Sequence, residues 1–376
     1  MMASAASLRL AAATAHRFGI TEGDAYISPL GRGLINDSYL VETGSGRWVL
    51  QRINGRVFPD PEGIMTNFAR LTSHLARQPV AGLAWPALRE TTDGATWTRD
   101  EAGDLWRMMS YLPGRPLERL ATPRQAAEVG HLLGRFHRLI ANLEPASLRI
   151  TLPGFHVTPA YLRQFDDALA TVEASAHDAG PPQGDASLEP ALEFLVCRRD
   201  GLSVLEMARQ VGLIPERAVH GDPKLDNLLF DAKGRRALAL IDLDTVQPGL
   251  VLHDIADCLR SCCNQAGEGA RPEETGFDLA ICRPLLRAYA TATRGLLSPA
   301  EVDLLYPAIR LLPLELGLRF LTDHLQGDRW FRVTSHGQNL AKARAQFALV
   351  ADIERQETAI RREIATSFST RRDGRP

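Results

Sequence analysis

The chain has 376 residues, long enough for two lobes that each bury a core. An apolar content of 45%, a charged content of 23% and a net charge of −2 are those of an ordinary globular protein. They exclude the broad basic footprint of a nucleic-acid binder. Five cysteines without regular spacing make neither a disulfide framework nor a zinc motif. No stretch approaches a membrane span, and Met1–Gly19 lacks the uninterrupted apolar run of a signal peptide, so a cytoplasmic protein is expected.

Residues 26–54 read as strands. Ser38–Thr43 and Arg47–Ile53 flank a Gly/Ser turn and predict a hairpin, with Gly31-Arg-Gly33 ahead of it. From Pro61 the apolar residues Ile64, Phe68, Leu71 and Leu75 recur at helical spacing, with Asp60 as the N-cap. Further strand is expected around 95–99 and 105–111, and Leu112-Pro-Gly-Arg-Pro116 breaks the pattern as a connector. Beyond Pro123 helix dominates, with an exposed loop at 176–187 and short strands near 218, 228 and 239. The layout is a β-rich lobe over 1–111 and a larger helical lobe over 112–376, with a cleft between them as the natural ligand site.

The strongest motif is His220-Gly-Asp-Pro-Lys-Leu-Asp-Asn227, followed by Ile241-Asp-Leu-Asp244. The spacing His-x-Asp-x-Lys-x-x-Asn is that of a kinase catalytic loop. Phosphoryl transfer needs a carboxylate to take the acceptor's proton, oxygen ligands for Mg²⁺ and positive charge on the moving phosphoryl group. Asp222 falls at the base position, Asn227 and Asp242 at the metal positions, and Lys224 within reach of the phosphoryl group. His220 is expected to brace the loop backbone. Asp244 is either a second metal ligand or a loop brace. Asp254 and Asp257 read as braces.

Gly31 and Gly33 suit a backbone that approaches nucleotide phosphates closely. Lysine occurs only at Lys224, Lys233 and Lys342, so the usual phosphate-holding lysine of the third strand is missing. Arg52 is the favoured substitute, with Gln51 the alternative if the strand register differs by one. Met109 and Tyr111 are candidates for the adenine-binding segment.

With these residues placed, the chain resembles the aminoglycoside phosphotransferase and choline kinase superfamily, and within it the N-acetylhexosamine 1-kinases. Gly33–Val41, Val49–Asn54, Phe58–Asp60, Ile241–Thr245, Gly317–Asp323 and Gly327–Phe331 carry the likeness. The resemblance implies an α+β, protein-kinase-like bilobal fold and ATP- and Mg²⁺-dependent phosphorylation of a sugar's anomeric hydroxyl. It further implies that Arg319 and Trp330 line the sugar pocket. Leu34 and Ser261 stand where those kinases carry His and Phe. Kinases for homoserine, choline-like alcohols or aminoglycosides are the enzyme alternatives. A pseudokinase binding module would lack one of Asp222, Asn227 and Asp242, and all three are present.

Overall fold

The computed structural model describes residues 5–21, 23–31, 35–78, 82–179 and 188–369. Helix α1 (Ala5–Arg17) is alanine-rich, which favours helix, and it packs Ala11 and Ala15 on the outer face of a sheet. The sheet uses β1 (Ala25–Pro29), β2 (Asp37–Thr43) and β3 (Gly46–Arg52). After helix α2 (Pro61–Ala76) come β4 (Leu88–Arg89), β5 (Thr98–Arg99) and β6 (Leu105–Ser110). The strand order is β1-β2-β3-β6-β4, with β5 also paired to β6, and every pairing is antiparallel. The predicted hairpin is β2–β3, closed where Thr43 faces Gly46. The predicted N-cap Asp60 accepts from the Gly63 amide at 2.9 Å, which fixes the start of α2.

Strand alternation decides what each face does. Leu50, Trp106 and Met108 join the α1 residues in one outer cluster. Met109 points the other way, into the large core shared with the helical lobe. Gln51 and Arg107, opposite each other in the β3–β6 register, share that inner face.

The larger lobe begins with α3 (Pro123–Ile140), started by a Thr122/Gln125 capping box. It continues through α4 (Thr158–Ala179), α5 (Leu188–Val196) and α6 (Val204–Gln210). The first residues of the expected loop at 176–187 are therefore helical, and 180–187 lie outside the described residues. Two short antiparallel pairs follow. One joins β7 (Arg217–Val219) to β10 (Gln247–Gly249), and the other joins β8 (Leu228–Phe230) to β9 (Ala237–Leu240). The segments 220–227 and 241–246 run between these strands, which holds both motifs side by side. The helices α7 (Val251–Cys263), α8 (Leu279–Ala292), α9 (Pro299–Asp303), α10 (Leu305–Leu325), α11 (Gln338–Arg355) and α12 (Glu357–Phe368) complete the lobe. No described helix is long and apolar enough to cross a membrane.

Helices α3 and α8 approach so closely that Gly130 has no room for a side chain. A methyl there would run into the Leu285 carbonyl and come within 3.0 Å of the Tyr289 amide nitrogen. Because the obstacle is backbone, it cannot be relieved by a rotamer change. Gly130→Ala is expected to destabilise the protein by about 1–3 kcal/mol, read as a lower midpoint in urea-induced unfolding. An unchanged midpoint would mean that the helices separate freely.

Candidate active site

The catalytic-loop motif is shaped by one buried carboxylate. Asp254, in the first turn of α7, accepts from the His220 and Gly221 amides at 2.7 and 2.8 Å and from His137 Nε2 at 2.9 Å. Burial alone would raise this carboxyl, but the hydrogen bond and charge of His137 hold it below the usual range. His220 donates from Nε2 to the Ile241 carbonyl at 3.0 Å, while burial lowers its pKa and keeps it neutral. Thr245 closes the joint by donating to the His220 carbonyl at 2.8 Å. Gly221 sits at φ +88, and a Cβ there would lie 2.7 Å from the Thr245 carbonyl oxygen, so only glycine fits.

Asp222 emerges from this braced turn. Its Oδ2 accepts from Lys224 Nζ at 2.5 Å and from Asn227 Nδ2 at 3.1 Å. Asn227 Nδ2 also donates to the Asp222 main-chain carbonyl at 2.7 Å. These bonds leave Asp222 Oδ1 as the end that can meet a substrate, and they turn the Asn227 carbonyl oxygen away from Asp222. Burial would lower the Lys224 pKa, but the charge and hydrogen bond of Asp222 raise it overall.

Asp242 follows β9 in a left-handed conformation, φ 65 and ψ 59, which turns the chain sharply at this point. Asp242 is open to solvent at this turn, yet desolvation by its surroundings and then the charges of Asp244 and Asp222 raise its carboxyl, against the lowering pull of Lys224 and Arg107. Three neighbouring carboxylates, of which only Asp244 is buried, fit a divalent cation, which would relieve the repulsion among them. Asp242 and the Asn227 carbonyl are hard oxygen donors of the kind Mg²⁺ takes.

Asp244 is committed elsewhere. Its Oδ1 accepts from Arg107 Nη2 and its Oδ2 from Asn36 Nδ2 at 2.7 Å. Asn36 in turn accepts from the Asn54 amide at 2.9 Å. Arg107 is 1% exposed and also donates from Nε to Gln51 Oε1 at 3.1 Å, while its Nη1 is buried without a partner. From α2, Asn67 donates to the Val246 and Arg149 carbonyls at 2.9 and 2.8 Å. The sheet lobe is thus bolted onto the segment that carries Asp242.

This geometry corrects one sequence expectation. Arg52 lies on the outer face, paired with Asp37 and, at 3.2 Å, with Asp104, and its guanidinium sits 5.8 Å from the Trp106 ring centre. Alternation along β3 turns Gln51, not Arg52, toward the cleft, and the buried cation there is Arg107 of β6. A lone arginine inside the apolar run Leu105-Trp-Arg-Met-Met109 was the signal that sequence reasoning passed over. Met109 is on the inner face. Tyr111 stacks under Arg47, 4.4 Å from its guanidinium. Gly31 adopts φ +72 with open space around it, while Gly33 and Leu34 lie outside the described residues.

On the far side of the catalytic loop, His156 donates from Nε2 to the Gly221 carbonyl at 3.1 Å and from Nδ1 to Glu315 of α10 at 2.8 Å. Two acceptors require an imidazolium. Burial opposes that charge, yet Glu315 raises the His156 pKa. Glu315 would be raised by burial but is lowered to about 2 by the charge and hydrogen bond of His156. One turn along α10, Arg319 sits among the rings of Phe155, Tyr161 and Phe331 at 5.8, 4.9 and 5.5 Å. Among the described residues its guanidinium has no hydrogen-bond or ion-pair partner. Trp330 is 74% exposed, so the adjacent Phe331, rather than Trp330, meets Arg319. Ser261 accepts from the Leu225 amide at 3.0 Å and so supports the catalytic loop.

The chain matches the family described as APH phosphotransferase enzymes over residues 27–289. It belongs to that family. The homoserine kinase of Methylobacillus glycogenes is 25% identical over 263 residues, 68% of each chain. The homoserine kinase of Caulobacter sp. (strain K31) is 26% identical over 298 residues, 79% of each chain. The structure of a microcompartment-associated aminopropanol kinase superposes with a TM-score of 0.63 at 17% identity, covering 94% of this chain and 98% of its own. That likeness is one of fold. The phosphotransferase therefore has the expected α+β, protein-kinase-like fold, with a small antiparallel sheet lobe and a larger helical lobe.

Two measurements test how the phosphotransferase holds this site. Arg107→Met leaves Asp244 buried without its counter-charge and is expected to cost about 3–5 kcal/mol of stability. Arg52→Ala breaks partly exposed pairs worth about 0–1 kcal/mol. Chemical denaturation of the two variants checks the order, and equal losses would contradict it. The His156–Glu315 pair predicts a pH signature. Glu315 stabilises the fold above its ordinary 4.5 and loses that contribution as pH falls toward about 2. His156, raised above its ordinary 6.5, contributes below 6.5 and loses its share as pH rises through the folded value. The difference in melting temperature between wild type and Glu315→Gln should therefore be largest between pH 4.5 and 6.5 and shrink on either side. A flat difference would mean that the pair is not ionic.

Proposed function

We propose that the protein is an ATP- and Mg²⁺-dependent kinase that phosphorylates the hydroxyl of a small alcohol bearing a carboxylate, of the homoserine type. The observation that carries the phosphotransfer is Asp222, one oxygen held by Lys224 and Asn227 and the other left for the acceptor, beside the solvent-accessible Asp242. In this reading Asp222 Oδ1 accepts the acceptor's proton as its oxygen bonds the terminal phosphorus and the bond to ADP breaks. Lys224, kept charged by Asp222, offsets charge on the moving phosphoryl group. Mg²⁺ held by Asp242 and the Asn227 carbonyl would neutralise the phosphate oxygens.

The acceptor class rests on Arg319. A guanidinium without an anionic partner, framed by aromatic rings, suits a carboxylate and repels a quaternary ammonium or a polycation. It is linked to the catalytic loop through Phe155 and His156, whose rings are 4.0 Å apart. Asp257 is already paired through Oδ1 with Arg260 at 2.7 Å, and its buried Oδ2 is the oxygen left to meet the acceptor's ammonium group. The two homoserine kinase relatives support the same class. A sugar phosphorylated at its anomeric hydroxyl is the second reading, favoured by the aromatic rings of Phe155, Tyr161 and Phe331, which suit a pyranose face.

An ADP-release screen with L-homoserine, N-acetylglucosamine, N-acetylgalactosamine, choline and kanamycin tests the class, with phosphorus NMR to locate the new ester. Homoserine turnover is expected, reduced about 10²- to 10⁴-fold in Asp222→Asn. Arg319→Met should raise the acceptor KM about 10- to 100-fold, the worth of a lost charged hydrogen bond, while leaving the ATP KM in place. A sugar 1-phosphate as the sole product would replace the main reading with the second. Turnover confined to choline or kanamycin would overturn both.

A further inference from the structure

Beyond the catalytic centre, we propose that the turn after α10 is a site for a transition-metal cation, zinc by preference, held by His324, Asp328 and His336. One potential ligand atom from each residue lies within 4.8 Å of the others. Two imidazole nitrogens and one carboxylate oxygen are a zinc-type donor set, unlike the all-oxygen donors at Asp242 and Asn227. The inference does not rest on the acceptor or on the kinase chemistry.

The electrostatics of the turn ask for a cation. Asp328 has a side chain only 8% exposed, and its ion-pair partner is His336, at 3.1 Å from Nδ1 to Oδ2. Among the described residues no lysine or arginine pairs with it. Neighbouring Asp323 is buried too and also lacks such a partner among them. Its oxygens instead accept from the Arg329, Trp330 and Phe331 amides at 2.8, 2.9 and 2.9 Å. These amides satisfy Asp323, so the carboxylate left to take a cation is Asp328, whose contacts are Asn339 and the exposed His336.

The outer contacts are those a bound metal needs. Asn339 donates to Asp328 Oδ1 at 2.8 Å and to Asp323 Oδ2 at 2.9 Å, fixing the carboxylate with Oδ2 turned to the histidines. Asp328 takes φ +59, an αL strain that a tertiary contact must hold in place. The His324 and His336 rings stack 5.0 Å apart, 28° from parallel. Tetrahedral bonds of ~2.1 Å place ligand atoms about 3.4 Å apart, so closure from 4.8 Å requires a shift of about 1.4 Å. His336, with a side chain 78% exposed, has the room to make it. Closure would fasten the loop 327–337, which sets Phe331 against Arg319.

The test uses tag-free protein stripped by chelator dialysis and titrated with Co²⁺, whose visible bands report a tetrahedral nitrogen and oxygen site, and then with Zn²⁺ in competition. Wild type and Asp242→Asn should both bind one equivalent with the same spectrum. His336→Ala, at an exposed position, should fold normally and bind at least about 10- to 100-fold more weakly. Asp328→Asn should do the same. The proposal is overturned if His336→Ala keeps wild-type Co²⁺ and Zn²⁺ affinity. It is equally overturned if wild type takes up no metal, which would leave His336 as a protonated counter-ion to Asp328, or if the bands vanish in Asp242→Asn and persist in His336→Ala.

Discussion

The carboxylate of Asp244 is the contact on which the relation of the two lobes depends. It is buried, and its two oxygens are taken by Arg107 from β6 and Asn36 from the segment before β2. One residue therefore ties two parts of the sheet lobe to the chain two positions past Asp242. Losing Arg107 would leave a buried charge without its counter-charge, which is a steep penalty. That stiffness has a chemical use in the proposed reaction. Nucleotide held against the sheet and metal held by Asp242 share one frame, so their spacing is set before substrate arrives.

Around the catalytic loop, the fold assigns protons by burial and pairing. His220 and His253 are kept neutral, the latter lowered to about 3 by burial and the nearby His156 charge. His156, only 4.9 Å from His253 between ring centres, is held charged by Glu315. Asp254 stays ionised because it gathers two amides and an imidazole. Each neutral or charged state is a consequence of what the side chain touches, and Asp222 Oδ1 and Asp242 remain open at the cleft.

Much of this was legible in the sequence because it is local. The catalytic loop, the β2–β3 hairpin and the Asp60 cap each depend on a few neighbouring residues whose chemistry admits one arrangement. The role of His220 as a brace also followed from its place in the motif. The errors arose where long-range pairing decides. Arg52 and Gln51 are adjacent in sequence but on opposite faces, and only the β3–β6 register reveals that Arg107 occupies the inner one. Asn36, Asn67 and His156 act on partners far along the chain, 208, 179 and 159 residues away for Asp244, Val246 and Glu315. No periodicity records such contacts. Trp330 shows a finer limit, since the turn at Gly327 and Asp328 folds the chain back but delivers Phe331 to the pocket.

Helix α10 explains why the proposed acceptor side is so different in character from the nucleotide side. It is apolar around nearly its whole circumference, as a helix buried on all sides must be. Among its polar residues, Glu315, Arg319 and Asp323 fall four residues apart, so they lie along one face. Glu315 steadies the catalytic loop through His156, Arg319 points into the aromatic cluster, and Asp323 folds the following turn by its three amide contacts. A single rigid element thus spaces the loop, the proposed carboxylate contact and the turn that carries Phe331. Of the three, Arg319 is the position free to meet an acceptor in the proposed reaction, because Glu315 and Asp323 are held by structural contacts.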